Sequence, residues 1–242
     1  LLSKIFKKKS IVSNIDTDIH SHLIPGIDDG SQNLETSLEL IKELQKAGFK
    51  RLITTPHNLH PKFGNNSDAI KKGIDELKIA CKESGIDIEI EAACEYYYGS
   101  KFLEHIKSDN LLHINKFVLF EFSYQSEPIN LEETIYELKS RGYKPLLAHP
   151  ERYIYWHNKL DRYEYLKNLG VYFQLNLNSL VGYYSAPVQK VAKHLSQKGF
   201  VDFLGSDTHH STHTNSLNKV FKDKNYNELL KNNTILNDSL VF

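Results

Sequence analysis

At 242 residues with 40% hydrophobic content, the chain is long enough for one sizeable core, and Lys plus Arg balance Asp plus Glu at 30 each. That balance gives no electrostatic footing for binding nucleic acid or an anionic membrane, so charge has to act locally. Two cysteines, Cys81 and Cys94, make no disulfide framework, and no apolar stretch approaches the roughly 18 residues of a membrane span, which leads to the expectation of a cytoplasmic protein.

Residues 1–14 read as a lysine-rich extension ahead of a single domain over 15–242. In it Lys4, Lys7, Lys8 and Lys9 interleave with Leu1, Leu2, Ile5 and Phe6. The start lacks a signal-peptide core, and the pattern allows weak contact with a membrane surface, a solvated tail being the simpler expectation. The chain contains no methionine, so upstream residues are expected to be missing.

From Ile15 onward short apolar or β-branched runs alternate with amphipathic ones, which predicts repeated β-α units around a parallel sheet or barrel. Strands are expected at Thr17 to His20, Leu52 to Thr55, Ile88 to Ala93, Phe117 to Phe122, Pro145 to Ala148, Tyr172 to Leu177 and Asp202 to Gly205. Leu34, Leu38, Ile41 and Leu44 keep helical spacing up to Gly48. Further helices are expected over about Asp68 to Glu83, from a capping-box start at Asn130-Leu131-Glu132-Glu133 to Gly142, and near Leu160 to Asn168 and Ala186 to Lys198.

Unusual polar residues sit at the C-terminal ends of these strands, where α/β barrels build active sites. The ends read Asp18-Ile19-His20-Ser21-His22, Thr54-Thr55-Pro56-His57, Cys94-Glu95, Phe120-Glu121-Phe122, Ala148-His149-Pro150-Glu151-Arg152, Gln174-Leu175-Asn176 and Ser206-Asp207-Thr208-His209-His210. Imidazoles and carboxylates gathered without thiolates suit Mn, Fe, Zn or Co, so a metal centre is the natural reading. Period-2 alternation would put His20 and His22 on one face, both reaching one ion. Each residue alone has an ordinary explanation, a rim carboxylate paired to lysine or a turn-forming Asp, His or Pro. Their joint placement is what points to metal chemistry. His60 is expected to line the entrance; His105, His113, His157, His194, His210 and His213 are expected at the surface.

These motifs, with Leu23-Ile24-Pro25 and Asp28-Asp29-Gly30, resemble the PHP-domain tyrosine phosphatases of bacterial capsule and exopolysaccharide systems, the CpsB/YwqE type. The resemblance runs from about Thr17 past His209. It implies a distorted seven-stranded β/α barrel with three divalent ions, usually manganese, at the strand ends. One ion would take His20, His22, Glu95 and Asp207. A second would share Glu95 and add Glu121 and His149. The third would take His57, His209 and either Asp28 or Asp29 on spacing, the family pattern choosing Asp29. Arg152 would contact phosphate, with Asp207 and His209 beside it at the reaction. The family further implies a phosphotyrosine protein as substrate, the tyrosine-rich tail of a membrane-associated polysaccharide-assembly kinase. Asn176 and Asn178 depart from relatives that carry Thr after the strand's Gln.

Clustered dications acidify water and clamp phosphoryl oxygens, as ester hydrolysis at neutral pH requires. A cysteine mechanism is excluded by spacing, since the residues six on from Cys81 and Cys94 are Asp87 and Ser100, not arginine. Tyr96, Tyr97, Tyr98, Tyr124, Tyr153, Tyr155 and Trp156 fall near the expected mouth, and Phe63, Tyr124 or Tyr153 is expected to form a wall for the substrate ring. Competing readings are a small-molecule phosphatase, such as one for histidinol phosphate, and a non-catalytic metal-binding module. A nuclease is disfavoured because no basic patch with interleaved aromatics flanks the site.

Overall fold

Strand-forming runs and amphipathic helices alternate as the sequence predicts, in a computed structural model that describes residues 12–240. In chain order the elements are β1 (Thr17–Asp18), α1 (Leu34–Lys46), β2 (Arg51–Thr54), β3 (His57–Leu59), β4 (Phe63–Gly64), α2 (Ser67–Glu83), β5 (Glu89–Ala92), β6 (Glu95–Tyr97) and α3 (Ser100–Lys107). There follow β7 (Phe117–Glu121), α4 (Leu131–Ser140), β8 (Lys144–Ala148), α5 (Asp161–Asn168), β9 (Tyr172–Asn176), α6 (Ala186–Gln197), β10 (Phe203–Gly205), α7 (Ser211–Val220) and α8 (Lys224–Asn232). The membrane-contact expectation concerns Leu1 to Lys9, which lie outside the described residues, and among the described residues no helix is long and apolar enough to cross a membrane.

The fold is the expected distorted α/β arrangement of parallel strands, its ladders falling into two sheets ordered β1-β2-β5 and β10-β9-β8-β7-β6-β3-β4. Every pairing is parallel except the β3-β4 hairpin. The second expected strand is β2, and past Pro56, which has no N–H to give a ladder, an unforeseen strand β3 begins in the other sheet. The third is β5, and after Ala93 and Cys94 an unforeseen β6 continues in the other sheet. Thr55 N–H to Ser21 O, Ala93 N–H to Thr54 O and Glu95 N–H to Pro56 O carry the chain across the breaks. An isolated parallel bridge joins Ser21 to Thr208, setting the end of the first strand beside the end of the last.

Period-2 alternation divides the core into two. Phe117 and Leu119 of β7, Leu146 and Ala148 of β8, and Phe203 of β10 pack with Ile19 and Ile53 in an inner cluster. Val118 and Phe120, Leu147, and Leu204 point the other way, into the larger core beneath the helices. On β7 the residue two beyond Leu119 is Glu121, so the inward face turns from apolar to acidic at the strand's end.

The helices follow their capping chemistry. Asn33 accepts from Thr36 N–H at the start of α1, and the chain leaves through Gly48 at φ +110°. Asn66 and Ser185 cap α2 and α6 in the same way. The capping box expected at Asn130 is absent. Asn130 sits at φ 60° and its side chain caps nothing, while its carbonyl accepts from both the N–H and hydroxyl of Thr134. Helices α3, α7 and α8 were not foreseen from periodicity.

No backbone ladder joins β1 to β10 among the described residues. The buried Asn237 does so, donating to Thr17 O and Leu204 O and accepting from Leu204 N–H, while Asp238 accepts from Thr17 N–H. Asn237→Ala should leave three buried backbone groups unpaired and cost about 3 kcal/mol, read as a lowered urea midpoint with unchanged slope. An unchanged midpoint would show that the staple carries no load.

Candidate metal centre

Five imidazoles and four carboxylates meet where the strand ends converge. His20 Nε2 lies 3.2 Å from Glu95 Oε2 and 3.5 Å from Asp207 Oδ1, and His22 Nε2 lies 3.5 Å from each of the same two oxygens. His57 Nδ1 is 3.1 Å from Glu95 Oε2 and 3.2 Å from Glu121 Oε1. His149 Nε2 is 3.1 Å from Glu95 Oε1 and 3.8 Å from Glu121 Oε2. Asp29 Oδ1 faces His57 Nε2 at 3.4 Å and His209 Nε2 at 3.5 Å. Donor atoms gather in three overlapping groups: His20, His22 and Glu95; His57, Glu95 and Glu121; and His22, Asp29, His57 and His209.

All the sequence-predicted ligands are therefore brought together, and Asp28 and Asp29 part company. Asp28 is buried and accepts from His22 Nδ1 at 2.7 Å, from His57 N–H and from Gly30 N–H, whereas the exposed Asp29 faces the ligand cluster.

The donor set fits divalent cations. His57 Nδ1 and Glu95 Oε2 are both buried, 3.1 Å apart, and neither has a hydrogen bond. Unpaired buried polar atoms cost about 1–3 kcal/mol each unless a cation takes them up. Outer partners then fix which nitrogen is free. Gln174 Oε1 accepts the Nδ1 proton of His20 at 2.8 Å, Asp28 that of His22, and Asp207 O that of His209 at 3.0 Å, which leaves three Nε2 lone pairs aimed inward.

Close approach makes this packing possible. A Cβ on Gly205 would lie 2.5 Å from His20 Cβ and 2.7 Å from Gln174 Nε2, and one on Gly30 would lie 2.3 Å from His22 O. His149 at φ 33° and Asp207 at φ 50° occupy the left-handed region, a strain of order 1 kcal/mol or more each. In His149 it breaks the strand alternation that would turn the ring away from Glu95.

With only protons to balance the carboxylates, burial opposes charging His20, but Glu95 and Asp207 outweigh it and raise its pKa to about 10. Asp29 is pulled down to about 2, chiefly by its hydrogen bond with His209.

The centre opens into a cleft of about 550 Å³ whose walls include Leu59, Tyr97, Tyr124, Arg152 and Tyr184. Arg152 Nη1 donates to Asp207 Oδ2 at 3.0 Å. Two expectations for the substrate wall are corrected. Tyr153 is fully buried, its hydroxyl accepting from Phe122 N–H and donating to Ala148 O, and so belongs to the core. Phe63 stacks on the His57 ring at 6.1 Å, outside the cleft lining. Tyr97 and Tyr124 do line it, whereas Tyr96, Tyr98, Tyr155 and Trp156 do not. His60 is exposed and lies over Gly64, away from the cleft.

Sequence reasoning missed His210, His213 and Tyr184, all of which line the cleft. His213 is buried, accepts from His209 N–H at 3.1 Å, and is held neutral by burial, which pushes its pKa down to about 4. Its position one turn into α7 gave no strand-end signal. Gln174 and Asn176, noted as a strand end and in Asn176 as a departure from relatives, prove to brace His20 and Asp207.

Strand-end imidazoles and carboxylates converging in an α/β fold define a candidate metal-dependent protein. The family described as "Capsular polysaccharide synthesis, CpsB/CapC" matches residues 16–234, and the chain belongs to that family. It is 31% identical over 199 residues to the tyrosine-protein phosphatase CpsB of Streptococcus agalactiae, covering 79% of this chain and 82% of that one. With the tyrosine-protein phosphatase YwqE of Bacillus subtilis it shares 26% identity over 194 residues, covering 79% and 76%. Among solved structures, one from the crystal structures of YwqE from Bacillus subtilis and CpsB from Streptococcus pneumoniae, described as metal-dependent tyrosine phosphatases, superposes with a TM-score of 0.79 at 25% identity, covering 90% of this chain and 96% of that one.

Two predictions follow from the geometry. Asp28→Asn should weaken Mn binding about 10- to 100-fold by releasing the His22 ring, measured by metal titration of stripped protein; wild-type affinity would contradict this orienting role. His20, with its metal-free pKa at about 10, still carries a proton near pH 8 that a cation must displace. Mn uptake should therefore release protons, and apparent affinity should rise with pH until about 10. Calorimetry in buffers of different ionisation enthalpy reads this directly, and no dependence on buffer would refute it.

Proposed function

We propose that the chain is a metal-dependent protein-tyrosine phosphatase that hydrolyses phosphotyrosine with water as nucleophile. The observation that carries the reading is the convergence of His20, His22, Asp29, His57, Glu95, Glu121, His149, Asp207 and His209 on one cleft with Arg152 in its wall. The names of the relatives support the substrate class.

In this reading His20, His22, Glu95 and Asp207 hold one cation, Glu95 is shared with Glu121 and His149 for a second, and Asp29, His57 and His209 hold a third. Three overlapping donor groups support three ions, with manganese as the first candidate. Bound divalent cations supply acidified water and neutralise phosphoryl oxygens.

The chain's own residues do the rest. Arg152 offers forked N–H donors to the phosphoryl oxygens. Leu59, Tyr97 and Tyr124 give the cleft an apolar side for a phenyl ring. The leaving phenolate, of parent pKa about 10, demands little from a general acid, which suits a site where His209 has Nδ1 committed to Asp207 O and Nε2 facing Asp29. Neither cysteine competes as nucleophile, because both are buried and burial raises both thiols. The tyrosine-rich tail of a membrane-associated polysaccharide-assembly kinase, met in the cytoplasm, is the substrate we assign.

Metal-stripped protein given Mn should release phosphate from a phosphotyrosine peptide and not from its phosphoserine counterpart. His149→Ala and Arg152→Gln should each lower kcat/KM about 100-fold or more. Release from neither peptide with metal bound would sink the proposal and send the search to small phosphate monoesters, histidinol phosphate first.

A further inference from the structure

Arg152 is held by a closed circuit of contacts. Its guanidinium carbon lies 4.3 Å from the ring centroid of Tyr184 and 4.8 Å from that of Tyr124, so two tyrosines flank it. Nη1 donates to Asp207 Oδ2 at 3.0 Å. That oxygen also accepts from Asn176 Nδ2 at 2.7 Å, and the same nitrogen donates to the Tyr184 hydroxyl oxygen at 3.1 Å. The circuit thus runs Arg152, Asp207, Asn176, Tyr184 and back to Arg152.

Local sequence delivers Tyr184 to this place. The 3-10 turn Leu177–Val181 follows β9, Gly182 at φ 75° reverses the chain, and Ser185 caps α6 directly afterwards. Tyr184 is therefore pinned between a turn and a helix start, and it lines the cleft.

We propose that Tyr184, with Tyr124 as second ring, is a positioning residue that holds the Arg152 guanidinium in its phosphate-binding orientation. The proposal rests on the phosphoesterase reading above. An arginine tied only to Asp207 keeps much of its roughly 2 kcal/mol of rotamer freedom and can turn about that one contact. Ring faces against the guanidinium remove that freedom while leaving its edge donors available, and the attraction of the ring quadrupole adds to the hold. Tyr184 acts through Arg152, so its contribution exists only while Arg152 is present.

The test is a double-mutant cycle on the Mn-loaded full chain, reading inorganic phosphate binding by calorimetry in the parent, Tyr184→Leu, Arg152→Gln and the double variant. Tyr184→Leu should weaken phosphate about tenfold in the parent and less than about twofold on the Arg152→Gln background, where phosphate is still held by the cations. Tyr184→Phe keeps the ring and should stay within about threefold of the parent. Equal losses on both backgrounds, an unaffected Tyr184→Leu, or a loss in Tyr184→Phe as large as in Tyr184→Leu would each overturn the proposal. Mn stoichiometry and the thermal midpoint check that every variant is folded and loaded. Phosphate binding is read without turnover, so failure to cleave phosphotyrosine peptide would strike the functional reading and leave this one intact.

Discussion

Glu95 is the residue on which the rest of the site depends. It is fully buried, and its two oxygens face His20, His22, His57 and His149 between them. Taking one carboxylate out of water costs several kcal/mol, and Asp207 and Glu121 are buried beside it. Such a cluster is tolerable only with compensating positive charge. Raised imidazole pKa values supply it as protons, and divalent cations would supply it more fully. The break between β5 and β6 follows from the same need, because it swings the third strand from one sheet to the other and sets Glu95 at the crossing.

Around that centre the chain invests in orientation. Gln174, Asp28 and the Asp207 carbonyl each take one imidazole proton, and Gly30 and Gly205 let the His22 and His20 segments lie against their neighbours. The left-handed backbone at His149 and Asp207 costs energy that the surrounding hydrogen bonds and packing have to offset. A site built this way can hold its donor atoms within the tight tolerance that metal binding demands.

Much of this was legible in the sequence because strand ends combine a period, a turn and an out-of-place polar residue in a few positions. His20, His22, His57, Glu95, Glu121, His149 and Asp207 all carry that mark, and all reach the centre. Strand breaks were not legible. Pro56 was visible, but nothing in the run through Ala93 and Cys94 announced that the third strand changes sheets. Side chains whose role depends on tertiary contact were also hidden: Tyr153 looked like a cleft aromatic and is core, while His213 and Tyr184, on a helix and a turn, looked ordinary and line the cleft. The choice of Asp29 over Asp28 needed the family pattern, since adjacent carboxylates differ only in which way the loop turns them.

The staple at Asn237 bears on how the two ends of the sheet order are tied together. Asn237 reaches Thr17 across 220 positions of chain and Leu204 across 33, so the seam between β1 and β10 is sewn by a residue outside both strands. Beyond the staple the backbone takes over, since Asp207 N–H donates to His20 O and His22 N–H to Thr208 O, so the segment carrying His20 and His22 is held on both edges. The two segments that carry His20, His22 and Asp207 are thereby kept in register from outside the cleft, and a cation bound between them would tighten the same seam from within.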